Sequence, residues 1–180
     1  MGHMKIEYLL PCLVFAFAFS CSPKEKKATV RNAPIIPAEW QYLENEHYTI
    51  RYPQGWEVQK SMEGVQFCIL SGLSSSVDIF RENVNLVIED LLESMTLEQY
   101  AKYAVNNMKQ KYTIADEKKY SVGGQVYYHF ILKGKDGILL KQHYLVKGKR
   151  AYILTFAYDP AEKESIQTDG DKMMTSFSIK

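Results

Sequence analysis

The sequence predicts an α+β fold in which helices flank an antiparallel β-sheet. Apolar residues recur at helical spacing from Leu97 to Tyr112, and Thr96 with Gln99 forms a capping-box pattern at the start of this helix. After it, three glycine-containing turn signals separate four strand-like segments, at residues 114–121, 125–132, 138–146 and 151–158. Because consecutive hairpins produce antiparallel neighbours and the helices stand apart from this run, the pattern indicates α+β rather than alternating α/β.

The other predicted elements are shorter. A second helix is expected between Pro160 and Thr175, weakened by Gly170. A hairpin is expected from the segments 40–43 and 47–52, and a loop from the serine-rich stretch 71–76. Further strands are predicted at residues 56–60, 65–70, 83–89 and 177–179.

Composition limits the classes of function. Of the 180 residues, 46% are hydrophobic and 24% are charged, which is typical of a globular protein. The 22 Lys and Arg against 21 Asp and Glu give a formal net charge of +1, so no chain-wide positive field attracts a phosphate backbone. We therefore expect no nucleic-acid binding.

The N-terminus has the pattern of a bacterial lipoprotein leader. Residues 1–3 look like a cloning remnant, and residues 4–20 read as a signal peptide whose apolar run, Leu9 to Phe19, is shorter than the roughly 20 residues of a membrane-spanning helix. The run ends in Ala18-Phe19-Ser20-Cys21, which resembles the lipobox in which the cysteine is acylated. The sequence thus predicts lipidation of Cys21 and a membrane anchor; the alternative is an ordinary cleavable leader with an incidental cysteine.

Residues 21–37 are predicted to form a lipidated flexible tether, and residues 38–180 a single globular domain. The tether is rich in proline and positively charged, and it cannot bury enough apolar surface to order itself. The tether either acts only as a spacer, or its basic residues also contact anionic lipid head groups.

Several sequence segments, in this order, resemble the PsbP-like family: YTIRYPQGW, RENVNLVIEDL, TLEQYA, VGGQ, GKRAYILTF and SFSI. The family includes the extrinsic subunit of the photosynthetic oxygen-evolving complex and bacterial lipoproteins such as DcrB. The resemblance spans nearly the whole domain and implies an α/β/α sandwich around an antiparallel sheet, acting as an accessory protein without catalytic activity. Because the leader resembles a lipobox rather than a transit peptide, the bacterial branch fits better and a photosynthetic role does not transfer.

Sequence motifs for common catalytic and cofactor sites are missing. The chain contains no HExxH, CxxC, GxxxxGK[ST] or GxGxxG, and the stretch Gly72 to Ser76 lacks the second glycine of a nucleophile elbow. We therefore expect no enzyme activity and no cofactor. Cys68 lies in the apolar stretch VQFCIL and is predicted to be a buried structural thiol.

Two histidines are weak candidates for metal ligands. His129 and His143 lie on strands joined by a short turn, and they share a face of the sheet only if the sum of paired residue numbers is 270 or 272. Two ligands are fewer than zinc takes. The interpretation is that both imidazoles are sheet-surface residues.

Charged residues form two further groups. Five acids precede or begin the first helix and are interpreted as a solvated edge rather than an acid–base pair: Glu82, Glu89, Asp90, Glu93 and Glu98. Six bases cluster near hairpin turns and are predicted to gather at one end of the sheet, as a possible interaction patch: Lys133, Lys135, Lys141, Lys147, Lys149 and Arg150. The patch serves either solubility or an acidic protein or anionic lipid partner.

Together these observations predict a lipid-anchored protein of the bacterial cell envelope, facing the periplasm, whose non-catalytic domain binds another protein or stabilises an assembly. The alternative is a carrier of a small molecule or lipid, with a pocket between the main helix and the sheet. A deep apolar cavity under Met108 would favour the carrier, whereas a solid core there would favour the interaction module.

Overall fold

The computed structural model describes residues 26–60, 62–76 and 78–180. The predicted leader and the lipidation site Cys21 lie outside these residues. In the described ranges, no helix is both long and apolar enough to span a bilayer.

The chain forms strands and two helices in the order β1 (Thr29–Arg31), β2 (Gln41–Glu44), β3 (Tyr48–Tyr52), β4 (Glu57–Gln59), β5 (Phe67–Leu70), β6 (Asn83–Asp90), α1 (Leu97–Met108), β7 (Thr113–Val122), β8 (Gln125–Lys133), β9 (Leu139–Lys147), β10 (Arg150–Tyr158), α2 (Glu164–Ser176) and β11 (Ser178–Ile179). The large sheet has the order β1-β7-β8-β9-β10-β6-β5-β4, and a small sheet has the order β11-β3-β2.

The predicted run of hairpins is confirmed as the antiparallel meander β7-β8-β9-β10. Its first turn needs two residues with positive φ, and Gly123 and Gly124 supply them at +57° and +83°. Glycine adopts these angles without the strain that a Cβ would cause.

Helix α1 begins with the predicted capping box. The Thr96 hydroxyl accepts a hydrogen bond from the Gln99 backbone amide at 3.2 Å, and the Gln99 side chain accepts one from the Thr96 amide at 2.7 Å. The buried face of α1 packs on one face of the large sheet, in a core of Tyr100, Ala101, Ala104, Met108, Tyr128, Phe130, Leu132, Tyr144, Ala151 and Ile153.

Helix α2 and the small sheet cover the opposite face. Their core contains Ile50, Phe67, Leu86, Leu154, Phe156 and Met173 among other buried residues. Gly170 lies directly on the Phe156 ring, where an added Cβ would come within 2.2 Å of ring carbon Cζ. The glycine therefore permits close packing of α2 on the sheet. Its low helix propensity, as predicted, weakens the helix at the same time. With a helix on each face, the predicted α+β sandwich is confirmed.

One part of the predicted tether is ordered, which corrects the sequence interpretation. Residues Thr29–Arg31 form β1 and pair in parallel with the end of β7, Tyr120 to Val122. Without β1 this end of β7 would present unpaired backbone groups at the sheet edge. The Arg31 side chain adds a hydrogen bond of 2.6 Å to the Tyr120 hydroxyl. A strand of three residues that pairs with a distant part of the chain has no repeating hydrophobic pattern by which the sequence could reveal it.

Candidate functional site

The six bases predicted as one patch lie in different places, so the sequence prediction of a single basic end is wrong. Lys133 and Lys135 lie at the β8–β9 turn, whereas Lys147, Lys149 and Arg150 lie at the β9–β10 turn. Successive turns of an antiparallel meander lie at opposite ends of the sheet. The two groups are therefore separated by the length of β9, about 30 Å for nine residues.

Three of these bases are also engaged by other groups. Lys141 lies in the middle of β9 and forms an ion pair with Asp171 on α2, at 2.6 Å. Arg150 pairs with Asp90 at 3.0 Å, and Lys147 donates to the backbone carbonyl of Lys180. Much of the positive charge thus serves packing and local pairing.

The two histidines, by contrast, are brought together. His129 and His143 are directly opposite in the β8–β9 register, with Nδ1 of His129 and Nε2 of His143 3.1 Å apart. The His143 ring stacks on Tyr127 with centroids 4.0 Å apart. His143 is only 6% exposed and His129 is half-buried. The interpretation as a surface residue is therefore wrong for His143, which is buried next to α2, whereas His129 keeps part of its surface exposed.

Burial keeps the two imidazoles neutral at pH 7. Desolvation lowers the pKa of His129 to about 4, although Asp116 nearby opposes the shift. The pKa of His143 lies well below its ordinary value, because of burial and then the neighbouring His129.

The protons of the pair depend on the tautomer of His143. The Nε2 atom of His143 faces Nδ1 of His129, so its Nδ1 is the nitrogen left for the backbone of Met174, which raises the His143 pKa against the effect of burial. In the tautomer that carries its proton on this Nδ1, Nε2 of His143 accepts a hydrogen bond from Nδ1 of His129, and Nε2 of His129 carries a lone pair.

His129 and His143 line a concavity on the α2 face, which we call the polar cleft. Its volume is about 280 Å³, and its walls are Arg31, Asp116, Lys118, Tyr120, Tyr127, His129, Ile131, Lys141, His143, Asp171, Met174 and Thr175. Within the described ranges, no cluster of three or more His, Cys, Asp or Glu side chains could hold a metal ion. The cleft combines charges of both signs with aromatic rings.

A second concavity, the helix groove, lies on the α1 face beside the start of the helix. It encloses about 600 Å³ and is lined by Glu89, Asp90, Leu91, Leu92, Glu93, Met95, Tyr100 and Tyr103. Leu92 is fully exposed and Tyr103 is 55% exposed. Exposed apolar side chains grouped within a polar rim are typical of interaction surfaces.

The predicted acidic edge is partly this rim. Glu89 accepts a hydrogen bond of 2.6 Å from the Tyr100 hydroxyl, and burial followed by this bond raises the pKa of Tyr100. Glu98 pairs instead with Lys119. Glu82 corrects the prediction of a solvated edge, since it is only 1% exposed and accepts a hydrogen bond from Ser71. Its burial raises its pKa.

Side chains fill only part of the space beneath α1. Met108 is buried there, and its sulfur accepts a hydrogen bond of 3.2 Å from the Tyr144 hydroxyl. A cavity of about 380 Å³ lies between this helix and the sheet, and Met108 lines it together with apolar residues such as Ile153 and polar residues such as Asn85, Asn107 and Gln142. The space under Met108 is therefore neither the deep apolar cavity expected of a carrier nor the solid core expected of an interaction module.

Cys68 is buried as predicted, with an exposure of 5%. Burial raises the pKa of its thiol, which keeps it protonated and unreactive.

Sequence reasoning missed two features of these concavities: Arg31 at the polar cleft and the exposed Leu92 in the helix groove. The pair Leu91-Leu92 immediately before a capped helix was an available signal, because one leucine more than the helix stripe needs has no predicted core position. Arg31 gave no signal, since its position depends on long-range pairing.

One solved structure supports the fold assignment, and two others show weaker similarity. The solution structure of cyanobacterial PsbP (CyanoP) from Synechocystis sp. PCC 6803 aligns with a TM-score of 0.59 at 16% identity, over 81% of this chain and 95% of that one. A Pseudomonas aeruginosa protein of unknown function aligns with a TM-score of 0.49 at 11% identity, over 77% of this chain and 95% of that one. A Bacteroides thetaiotaomicron structure aligns with a TM-score of 0.48 at 9% identity, over 74% of this chain and 45% of that one.

No protein-family model and no curated protein matches the sequence. The resemblance to the PsbP-like family is confirmed at the level of the fold, which the CyanoP structure shares.

Proposed function

We propose that this chain is a lipid-anchored protein of the bacterial cell envelope whose non-catalytic PsbP-like domain binds a partner protein through the helix groove. The lipobox-like sequence ending in Cys21 supports the anchor. The observation that carries partner binding is the exposed apolar lining of the groove, with Leu92 fully exposed beside a packed core.

The charge around the groove defines the complementary partner. Glu89, Asp90 and Glu93 lie at its walls, and among these residues only Asp90 has a basic partner, Arg150. A protein segment with apolar side chains between lysines or arginines complements such a surface in shape and charge. Burying Leu92 and the exposed part of Tyr103 would supply the apolar contact.

Partner binding is tested by chemical cross-linking in intact cells of the native host, followed by purification and identification of attached proteins. The wild type is expected to yield a reproducible partner, and Leu92→Ser is expected to reduce its recovery at least tenfold. Ile79→Ser is the matched control, since Ile79 is also almost fully exposed but lies outside the groove. Equal recovery with both variants would contradict the proposal.

The anchor is tested separately by metabolic labelling with a fatty-acid analogue. The wild type is expected to incorporate the label, and Cys21→Ala is expected to lose it. Equal labelling would refute acylation at Cys21 and leave partner binding as an independent question.

A further inference from the structure

The polar cleft has the features of a ligand site on the face opposite the helix groove. We propose that it binds a small molecule carrying a carboxylate together with a hydrogen-bond donor, as in an α-amino acid or a hydroxy acid. This inference is independent of the proposed partner binding.

Arg31 is the group that would hold the carboxylate. Its guanidinium lies 3.6 Å from the centre of the Tyr120 ring, and it donates a hydrogen bond of 2.6 Å to the Tyr120 hydroxyl. In the described part of the chain Arg31 forms no ion pair, whereas Lys118 pairs with Asp116 and Lys141 pairs with Asp171. The fixed, planar guanidinium is suited to a carboxylate that takes two parallel hydrogen bonds.

His129 is the group that would accept the donor. Its Nδ1 is engaged with His143, so Nε2 is the ring nitrogen left for a ligand, and it carries a lone pair in the tautomer in which Nδ1 donates to His143. An ammonium or hydroxyl group can donate to this nitrogen. The carboxylate of Asp116, whose charge acts on His129, adds a favourable field for an ammonium.

The separation of the two groups limits the ligand to a short molecule. The Tyr120 ring centre is 3.6 Å from the Arg31 guanidinium and 5.7 Å from the His129 ring, so these groups are at most about 9 Å apart. Because this value is an upper limit, a ligand that contacts both groups carries its carboxylate and its hydrogen-bond donor close together, as α-amino and α-hydroxy acids do.

The size and charge of the cleft agree with this class. A volume of about 280 Å³ admits a small metabolite and excludes a long acyl chain. Basic and acidic side chains both line the cleft: Arg31, Lys118 and Lys141 are basic, and Asp116 and Asp171 are acidic. A ligand with charges of both signs, or with a carboxylate and a neutral donor, therefore finds a complementary group for each of its own.

The test uses L-serine as the probe and follows the His129 and Tyr120 ring resonances by NMR. The expected dissociation constant is on the order of 1 mM for a ligand of this size. Propionate, which has only the carboxylate, and ethanolamine, which lacks it, are each expected to bind at least tenfold more weakly than serine.

Two variants separate recognition from folding. Arg31→Gln and His129→Leu are each expected to weaken serine binding at least tenfold, and Arg150→Gln, at a distant exposed ion pair, is expected to leave it unchanged. Absence of serine binding, propionate binding as tight as serine binding, or equal serine affinity in the wild type and both cleft variants would overturn the proposal. None of these results bears on the helix groove.

Discussion

Replacing Gly170 with alanine is expected to destabilise the domain although alanine is the better helix former. An alanine Cβ at this position would lie 2.2 Å from Cζ of Phe156, which is far closer than van der Waals contact allows. Phe156 is fully buried and stacked on Tyr158 with ring centroids 4.9 Å apart, so it has little room to yield. Either the ring or the helix must move by about 1 Å.

The expected magnitude combines two opposing effects. Overpacking of a dense core costs about 1–3 kcal/mol, and replacing glycine within a helix returns about 1 kcal/mol. Given the severe overlap, we expect a net loss of about 2 kcal/mol in the free energy of unfolding, which for a domain of this size lowers the melting temperature by about 4–8 °C.

The assay is equilibrium unfolding in urea, with Gly72→Ala as the matched control. Gly72 has no atom within 4 Å of an added Cβ and no positive φ, so alanine there is expected to change stability by less than about 1 kcal/mol. Gly170→Ala is expected to cost less free energy of unfolding in a Phe156→Leu background than in the wild type, because the smaller side chain leaves room for the added Cβ. A Gly170→Ala protein as stable as the wild type, or more stable, would refute the close packing of α2 on the sheet.

Three further predictions concern the histidine pair, the helix cap and the buried thiol. The pKa values of His129 and His143 are lower in the folded protein than in the unfolded chain. As the pH falls, the unfolded chain therefore binds protons at these histidines before the folded protein does. The stability that they contribute is fully present above about pH 6.5 and decreases as the pH falls toward 4. His129 alone accounts for about 3 kcal/mol of this loss. His129→Leu is expected to make the free energy of unfolding, measured by urea titration, depend less on pH. An unchanged dependence of this free energy on pH would contradict the burial of His129. Thr96→Ala is expected to cost about 1 kcal/mol by removing the capping box, as measured by thermal unfolding, and a loss below about 0.3 kcal/mol would contradict the cap. Cys68 is expected to react with a thiol reagent only as fast as the protein opens, and immediate stoichiometric labelling of the native protein would contradict its burial.

Elements defined by local signals were predictable from the sequence. The capping box at Thr96 and the apolar spacing after it specify α1 within a single stretch of chain. Glycines at the turns likewise specify the hairpins, because positive φ at Gly123 and Gly124 is a requirement of the turn itself.

Features that depend on distant parts of the chain were not predictable. The strand containing Arg31 is recognisable only from its pairing with β7, about 90 residues later. The burial of His143 depends on where α2 lies, and its pairing with His129 depends on a register that the turn residues alone left open.

The basic residues illustrate a different kind of error. Lys133 and Lys147 are both near turns in the sequence, and reading them as one surface ignored the reversal of direction along β9. A sequence-level statement about a surface therefore requires the topology first.

The central claim is that the helix groove is the surface that meets a partner protein. It is tested most directly by placing a photo-reactive amino acid at position 92, in place of Leu92, and illuminating living cells of the native host. We expect a discrete cross-linked species that is absent when the same amino acid replaces Ile79, which is equally exposed but outside the groove. A cross-link from position 79 and none from position 92 would contradict the account.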